Sequence, residues 1–535
     1  MEYIGLSGPF FTMNGKKMSR QKNAKERSDM EGQLERIRRE SLRGKVVTAD
    51  EAASWIQDGM TLGLSGFTRA GDAKAIPEAL VKRAADEEFK VNVFTGASLG
   101  HDIDKLFTEA GIVNKRLPFQ ADATMRKGIN RGELLFVDHH LSDTSELVRG
   151  GVLPQIDYAV IEAVAIAEDG AIIPSTSIGN SLIFAEHAKS IIVEINVAHS
   201  TEWEGVHDVY DPGVLGDREP IPLMHPDERI GTYGIPVDPD KIAGIVLTEE
   251  YDSFSTIDQP DEETEVMAGH LLAFLRFEIA AGRLTNELAP LQSGIGSQAN
   301  AVLHGLLDSE FENLELYSEV LQDSVFELID AGKVKSASCT SITVTAERMD
   351  KLRNNLAFYK EKIIMRPQEI SNHPEVIRRL GTISINTALE FDIYGNVNST
   401  HVTGTKMMNG IGGSGDFARN ARLAIFVTKS LAKKGDVSSC VPFVSHVDHT
   451  EHDVDIIVTE QGYADLRGLA PKERVPLIID RCAHPSYRDQ LWAYYEEALS
   501  RGGHTPHILE KALGWHIRLS ETGTMRESRE EVMSS

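Results

Sequence analysis

The chain has 535 residues, of which 41% are apolar and 25% are charged. This composition is typical of a folded enzyme, the length predicts about two to four folded units, and no run of about eighteen apolar residues predicts a membrane span. The 81 acidic and 55 basic residues give a formal charge of −26, which argues against nucleic acid or an anionic membrane as a partner.

The first 45 residues are rich in Lys, Arg and Glu and lack apolar periodicity, which predicts an exposed charged extension over 1–45. A basic, Ser-containing start leaves mitochondrial import as a minor interpretation, although acidic residues in the same stretch count against it. The three cysteines are far apart in the sequence, which favours neither a disulfide framework nor a Cys-rich metal site. We therefore expect a reducing, cytoplasmic compartment.

From Thr48 onward, short helical and strand-like segments alternate. The strand-like runs lie near 60–64, 91–95, 158–164, 190–195, 242–247, 314–317 and 362–365. Such alternation predicts an α/β protein, here with two open, mostly parallel sheet domains of similar size. We place these domains at 46–235 and 236–510, with a hairpin near 390–397 inserted in the second and a tail at 511–535.

A first glycine loop, Gln292-Ser293-Gly294-Ile295-Gly296, precedes a helical run. Glycines let the backbone approach a ligand, and the free N–H groups at the start of a helix stabilise an anion. The loop is therefore a candidate site for a phosphate or an oxyanion. Glu319, about twenty residues further on, makes the segment imitate a dinucleotide-binding motif, and a plain structural turn also stays open.

Glu319 is itself a candidate nucleophile. It follows the apolar run 314–317 and precedes a helical pattern, which places it at the carboxyl end of a strand, where open α/β folds bind ligands. A carboxylate in apolar surroundings is desolvated, and it is then more basic and more nucleophilic than in water. The alternative is that Glu319 only complements the dipole of the next helix.

A second glycine loop runs from Asn409 to Asp416 as Asn-Gly-Ile-Gly-Gly-Ser-Gly-Asp. Consecutive flexible residues can direct several backbone N–H groups at one point and so bind an oxyanion. No clear strand precedes the loop, which weighs against a dinucleotide site, and an ordinary loop remains the alternative.

Three further stretches contain polar residues of types that bind metals or substrates. His446, His449 and His452 recur every three residues, a spacing that does not match the i, i+4 face of a zinc-binding helix, so we expect no metal site. Glu460 follows a strand-like run. Asn372 lies at the start of a helix, where it either caps the helix or contacts a substrate.

Taken together, long motifs in this order resemble the acetyl-CoA hydrolase/transferase family of class I CoA-transferases, especially its succinyl-CoA:acetate and propionyl-CoA:succinate branch. The resemblance extends from about 48 to 500. The motifs are Ser65-Gly-Phe, Asp138-His-His-Leu-Ser142, Gln292-Ser-Gly-Ile-Gly, Ser318-Glu-Val-Leu-Gln-Asp, Arg366-Pro-Gln-Glu-Ile-Ser-Asn-His-Pro, Tyr394-Gly-Asn-Val-Asn-Ser-Thr-His, Asn409-Gly-Ile-Gly-Gly-Ser-Gly-Asp-Phe and Ser445-His-Val-Asp-His-Thr-Glu-His.

The resemblance implies a role for each matching residue. The family's nucleophilic glutamate corresponds to Glu319, and its CoA-contacting glycine loop corresponds to 292–296. Asn409 and Gly413 match the second glycine loop, which places a backbone N–H near the thioester oxygen. Asn372 and Glu460 match positions that recognise the carboxylate and order the site. The resemblance also displaces the dinucleotide interpretation and further disfavours a metal.

The resemblance therefore implies a CoA-transferase that moves CoA between acetyl-, propionyl- or succinyl-CoA and a small carboxylate through a covalent glutamyl-CoA thioester. Coenzyme A is then a substrate, and no permanently bound cofactor is expected. The alternatives are an acetyl-CoA hydrolase that uses the same glutamate, a non-catalytic acyl-CoA-binding protein and a nicotinamide-dependent dehydrogenase. We expect a homodimer from base rates alone.

Overall fold

The computed structural model of the chain describes residues 32–256, 261–294 and 296–527. These described residues form two large sheets, one of seven strands and one of eight. The strands of the first sheet are β1 (Thr61–Leu64), β2 (Val91–Phe94), β3 (Val113–Leu117), β4 (Leu135–Phe136), β5 (Tyr158–Ala163), β6 (Ser190–Asn196) and β7 (Ile242–Thr248). Those of the second are β8 (Leu291–Ser293), β9 (Leu314–Tyr317), β10 (Val334–Cys339), β11 (Ile363–Met365), β12 (Ile383–Thr387), β13 (Leu423–Val427), β14 (Ile456–Thr459) and β15 (Gly462–Asp465).

The two sheets share one strand order. It is β4-β3-β2-β1-β5-β6-β7 in the first sheet and β11-β10-β9-β8-β12-β13-β14-β15 in the second, so β8 takes the place of β1. All neighbouring strands of these two sheets are parallel except β14 and β15. The predicted fold of two mostly parallel α/β sheets is therefore confirmed.

Helices connect the strands and cover the sheets. In chain order the α-helices are Ala49–Ser54, Ala75–Arg83, Ile103–Glu109, Ala123–Arg131, Asp143–Arg149, Ser181–His187, Glu262–Ala280, Ser297–His304, Asp323–Asp330, Ala346–Asn354, Leu356–Lys360, Gln368–Ser371, Pro374–Leu380, Ser414–Asn420, Pro471–Cys482, Pro485–Ser500 and Gly514–Thr522. None of the helices in the described part of the chain is long and apolar enough to cross a membrane.

Several short strands pair outside the two sheets. The predicted hairpin is present, because Glu390–Asp392 pairs in antiparallel fashion with Val397–Asn398. Val320–Leu321 pairs in parallel with Ser341–Ile342 directly beyond the ends of β9 and β10. Loops of the two domains meet here, since Ser341 Oγ donates to the carbonyl of Phe67 at 2.7 Å. The carboxyl ends of the second sheet therefore face the first domain.

The predicted boundary between the domains requires a correction. We placed the second domain from 236 onward, but β7 pairs in parallel with β6 and is the edge strand of the first sheet. The sequence pattern of β7 is that of any buried strand, and it carries no information about which sheet the strand joins. The first sheet therefore extends to Thr248.

The predicted extension and tail are not free of the fold where the structure describes them. Ile37 and Leu42 are buried, and Arg36 Nη1 donates to the carbonyl of His199 at 2.8 Å. At the other end, the helix Gly514–Thr522 packs on the second domain, with His516 Nε2 2.8 Å from Glu390 Oε2. Isolated apolar residues anchor both segments, a signal too sparse to register as periodicity. Residues 1–31 and 528–535 lie outside the described part.

A glycine in β1 permits close packing of a helix on the first sheet, and we predict that Gly63→Ala destabilises the protein. A Cβ atom at Gly63 would lie 2.7 Å from Cγ of the buried Phe184. We expect a loss of about 1–3 kcal/mol in the free energy of unfolding, measured by urea titration, because overpacking a core shifts side chains and backbone. The control is Gly269→Ala, in an exposed helical position with no atom within 4 Å, which should be neutral or stabilising. Equal stabilities of the two variants would contradict the packing argument.

Candidate active site

Glu319 follows β9 after one residue, in a backbone segment held from both sides. Its carbonyl accepts hydrogen bonds from Thr340 N at 2.8 Å and from Ser341 N at 3.1 Å. The preceding Ser318 donates from Oγ to the carbonyl of Ser293 at 3.2 Å. These contacts hold the backbone of Glu319 at the carboxyl end of the second sheet, where the sequence predicts it.

The Glu319 side chain is buried, with 8% of the residue exposed. Gln292 Nε2 donates to its Oε2 at 3.3 Å, and no Lys or Arg forms an ion pair with it within the described residues. Burial raises the pKa of Glu319 to about 7, although hydrogen bonds from its own backbone, Gln292 and Asn372 act to lower it. A carboxylate in this environment is poorly solvated and correspondingly basic.

Gly413 packs directly against this carboxyl. A Cβ atom on Gly413 would lie 1.6 Å from Glu319 Oε1 and 2.7 Å from Asn372 Nδ2, so only glycine fits with the side chains as they stand. The second glycine loop thus contacts Glu319 through its backbone. The backbone of the loop therefore lies beside the carboxyl, and backbone N–H groups at such a position can stabilise a developing negative charge.

The first glycine loop lies on the neighbouring strand. The side chains of Gln292 and Asn386, at the ends of β8 and β12, exchange hydrogen bonds of 3.1 and 3.2 Å. This amide pair spans the point at which the strand order of the sheet reverses, the usual ligand site of open α/β folds. Gly294 donates from its N–H to the carbonyl of Ile385 at 2.8 Å, and Gly296 has a φ of 130°. Gly294 and Gly296 therefore lie at the edge of the sheet and not within it.

Two cavities that share lining residues open at this edge of the sheet. The inner cavity, of about 130 Å³, has Glu319, Gly413 and apolar side chains of the first domain in its wall. The apolar residues are Phe67, Ala97, Phe119 and Leu141. The outer cavity, of about 470 Å³, shares Phe119 and Asn409 with the inner one and contains two arginines, Arg69 and Arg126. An anionic ligand with a small apolar end fits this arrangement.

The structure brings most of the predicted site residues together. The inner cavity is lined by Gly294, Glu319, Asn409 and Gly413, and Gly296 lines the outer one. Gln292, Ser293 and Asn372 are buried beside them. Ile295 lies outside the described residues.

Glu460 is not brought to either cavity. It follows β14, four strand positions from β9, or about 19 Å at the usual spacing of strands. Its carboxylate accepts hydrogen bonds from Ser430 N at 2.8 Å, from Ser430 Oγ and from Gln461 Nε2 at 3.0 Å. Partial burial acts to raise its pKa, but these donors hold the pKa below its ordinary value. Alternation of strands predicted that Glu460 ends a strand, but it could not predict the position of that strand in the sheet.

The three histidines of the 445–453 segment diverge. His449 Nε2 lies 3.2 Å from Ser414 Oγ, the ring of His446 lies 3.9 Å from that of His401, and His452 is exposed. Among the described residues, the group with spacing suitable for a metal ion is Glu162, His199 and Asp252 in the first domain. Lys74 Nζ contacts both carboxylates of that group, at 3.0 Å from Asp252 Oδ1, and so already supplies a cation there.

Sequence reasoning assigned no role to the side chains of Asp138, Ser142 and Asp416, which hold the site together. Asp138 accepts the N–H of Ile411 at 2.9 Å and thereby ties the second glycine loop to the first domain. Ser142 and Asn372 both donate to Asp416. The motifs that carry the resemblance include all of these residues, but their contacts join segments more than forty residues apart, which no local pattern reports.

Comparison with known proteins gives consistent matches along the chain. Models of the acetyl-CoA hydrolase/transferase N-terminal and C-terminal domains match residues 28–246 and 349–495. A succinyl-CoA:acetate CoA-transferase of Clostridium kluyveri is 53% identical over 494 residues, 92% of this chain and 92% of that protein. A propanoyl-CoA:succinate CoA transferase of Escherichia coli is 44% identical over 90% of this chain and 98% of its own length. An acetyl-CoA hydrolase of Schizosaccharomyces pombe is 43% identical, with coverages of 92% and 98%.

We predict that Gly413→Ala destabilises the protein because the added methyl group collides with the Glu319 carboxyl. The loss in the free energy of unfolding should be about 1–3 kcal/mol by urea titration. Combining it with Glu319→Ala, which removes the colliding atoms, should recover most of the loss in a double-mutant cycle. Additive effects of the two substitutions would show that Gly413 and Glu319 are not in contact.

Proposed function

This chain belongs to the acetyl-CoA hydrolase/transferase family, and we propose that it is a CoA-transferase that moves CoA between a short acyl-CoA and a small carboxylate. The observation that carries the proposal is the buried Glu319 carboxyl, which has no paired cation within the described residues and lies against Gly413. Desolvation makes such a carboxylate a stronger nucleophile, and Glu319, unlike the equally buried Asp416, lines the inner cavity where a substrate can reach it.

The reaction proceeds in four steps. A Glu319 oxygen attacks the carbonyl carbon of the acyl-CoA, the C–S bond breaks, and CoA leaves as a thiolate from an acyl-glutamyl anhydride. The thiolate attacks the glutamyl carbonyl of the anhydride, which forms a glutamyl-CoA thioester and releases the first carboxylate. An incoming carboxylate then attacks the glutamyl carbonyl of this thioester, the C–S bond breaks, and CoA thiolate leaves from a new acyl-glutamyl anhydride. The thiolate attacks the acyl carbonyl of this anhydride, which forms the new acyl-CoA and releases the Glu319 carboxylate. Covalent catalysis of this kind predicts ping-pong kinetics.

Each attack produces an oxyanion that requires hydrogen-bond donors. The loop 410–413 lines the inner cavity beside Glu319, and the backbone N–H groups of Gly412 and Gly413 are our proposed donors, since that of Ile411 is already bonded to Asp138. A preorganised donor of this type contributes about 3 kcal/mol to the stability of the transition state. The amides of Gln292 and Asn372 orient the Glu319 carboxyl for the attack.

The two cavities support the proposed substrate class. The inner cavity is small, and no Lys or Arg stands among the residues that line it, so it suits a short acyl group such as acetyl or propionyl. Arg69 is exposed and Arg126 is partly exposed in the outer cavity, where they can bind the phosphate groups of CoA. Coenzyme A is accordingly a substrate of this site, and we assign no permanently bound cofactor.

Acetyl-CoA hydrolysis is the second candidate function. The same glutamyl intermediates form, and water instead of a carboxylate attacks the thioester. The family description names both activities, and the open outer cavity admits water as well as CoA. The ratio of the two reactions depends on how completely bound substrate excludes water.

We further propose that the protein is a cytoplasmic homodimer. Cys339, Cys440 and Cys482 are buried free thiols, as suits a reducing compartment, and two-fold dimers are the commonest assembly of soluble enzymes. A monomeric mass in solution by light scattering would contradict the dimer, and recovery in an organelle fraction would contradict the location.

We predict that removal of the Glu319 carboxyl abolishes CoA transfer. CoA exchange from acetyl-, propionyl- and succinyl-CoA is measured with and without added acetate or succinate, on the wild type, Glu319→Ala and Glu319→Gln. Both variants should lose about a thousandfold or more, since the covalent route is closed. The control is Glu315→Gln, on β9 just before Glu319 but paired with Lys335 at 2.8 Å, which should retain activity.

The same assay separates the two candidate functions. A transferase releases little CoA without an acceptor, whereas a hydrolase releases CoA at a similar rate with and without one. Undiminished transfer by Glu319→Ala would contradict the covalent mechanism. An equal loss of activity in Glu315→Gln would show that substitutions here disturb β9. The loss in the Glu319 variants would then not report the role of the Glu319 carboxyl.

A further inference from the structure

A second buried carboxyl, that of Asp416, shares the Asn372 amide with Glu319. Asn372 Nδ2 donates to Asp416 Oδ2 at 3.3 Å, and the same amide donates to Glu319, which acts to lower the pKa of Glu319. A Cβ atom on Gly413 would lie 2.6 Å from Glu319 Cδ and 2.7 Å from Asn372 Nδ2, so the carboxyl and the amide border the same glycine. Asn372 therefore links the two acids.

The hydrogen bonds of Asp416 suit a neutral carboxyl. Its Oδ2 accepts two N–H groups, from Ser142 N at 3.1 Å and from Asn372. Its Oδ1 lies 2.6 Å from Ser142 Oγ, a hydroxyl that can accept as well as donate. A carboxylic acid satisfies this geometry in full, with the carbonyl oxygen toward the N–H groups and the O–H toward Ser142.

The charges around Asp416 also favour its neutral form. It is 3% exposed and makes no ion pair with a Lys or Arg of the described residues. Burial raises the pKa of Asp416 to about 8 against the hydrogen bonds of Ser142, and the charges of Asp143 and Glu319 raise it further. The other titratable groups near this helix end are Asp138, His140, Arg419, His449 and Asp453. Burial raises the pKa of Asp138 to about 7, so its ionisation falls on the acidic side of the profile. Burial lowers the pKa of both histidines, so they stay uncharged near neutral pH.

We propose that Asp416 is a positioning residue that retains the proton of this carboxyl pair, so that Glu319 is the member that ionises and attacks the substrate. The inference rests on the proposed function of Glu319 and adds a regulation of its charge. A proton on Asp416 avoids two adjacent buried anions, and it leaves the Asn372 amide available to orient Glu319.

This arrangement predicts a bell-shaped dependence of the acylation rate on pH. Below about pH 7 Glu319 takes up a proton and ceases to be a nucleophile, so the rate falls as the pH is lowered. Above about pH 8 Asp416 loses its proton, and the new anion opposes both the Glu319 carboxylate and the oxyanion that forms beside it. Because the two carboxyls titrate as a coupled pair, the apparent pKa of each limb belongs to the pair and not to one residue.

The experiment measures the rate at which acyl-CoA forms a covalent adduct on the full-length protein, by mass spectrometry in single turnovers across the pH range. Asp416→Asn is isosteric with the neutral acid and cannot ionise, so we expect it to lose the alkaline limb. Its rate at neutral pH should exceed that of Asp416→Ala by about tenfold or more, since the amide keeps both N–H contacts and the contact with Ser142.

The matched control is Asp143→Asn, which removes a neighbouring charge but no hydrogen bond to Asn372. It should keep the alkaline limb and move it to lower pH, because a negative charge that opposes the ionisation of Asp416 is gone. If Asp416→Asn does not fold, Asp416→Ser, which also cannot ionise, is measured in its place.

An alkaline limb that persists unchanged in a folded, non-ionising Asp416 variant would overturn this inference while leaving the covalent mechanism intact. Absence of the adduct in the wild type at every pH would instead refute the proposed function of Glu319. Equal rates of Asp416→Asn and Asp416→Ala at neutral pH would show that Asp416 does not position Asn372.

Discussion

The Glu319 carboxyl is buried among amide donors and meets no cation in the described part of the chain. Removing a charged group from water is costly unless hydrogen bonds or an opposite charge compensate, and here only the amides of Gln292 and Asn372 and the backbone do so. The rest of the site follows from this constraint. The carboxyl is basic enough to attack a thioester, and the glycine at 413 is required because the acid occupies the space that a side chain would fill.

The repeated sheet explains how that environment is built. Both sheets reverse strand order at the same place, and in the second sheet this place lies between β8 and β12, beside the strand that precedes Glu319. The cavity is nevertheless incomplete without the first domain, which supplies the apolar wall around Phe67 and Phe119. Asp138 and Ser142 extend from that domain to the second glycine loop and to Asp416. The fold of both domains is therefore required for one small site.

The sequence predicts those features that depend on local patterns. Alternating segments predicted the two parallel sheets, and the position of Glu319 after an apolar run predicted its place at a strand end. The family resemblance, and not the local pattern, placed the glycine loops in the same site. Strand order depends on contacts between distant segments, which explains the misplacement of β7 and the distance of Glu460 from the cavity. The pairing of Asp416 with Asn372 is likewise a long-range contact, and the burial of Ile37 and of the helix Gly514–Thr522 rests on too few apolar residues for a periodic signal.

The mechanism requires that an oxygen of Glu319 becomes bonded to the acyl group of the substrate. The most direct measurement supplies a carboxylate acceptor labelled with isotopically heavy oxygen during turnover and then determines the mass of the peptide that contains Glu319. Cleavage of the mixed anhydride at the acyl carbon leaves one acceptor oxygen on the glutamate, so the account predicts heavy oxygen in this side chain after turnover. CoA transfer at a normal rate with no label on Glu319 would contradict it.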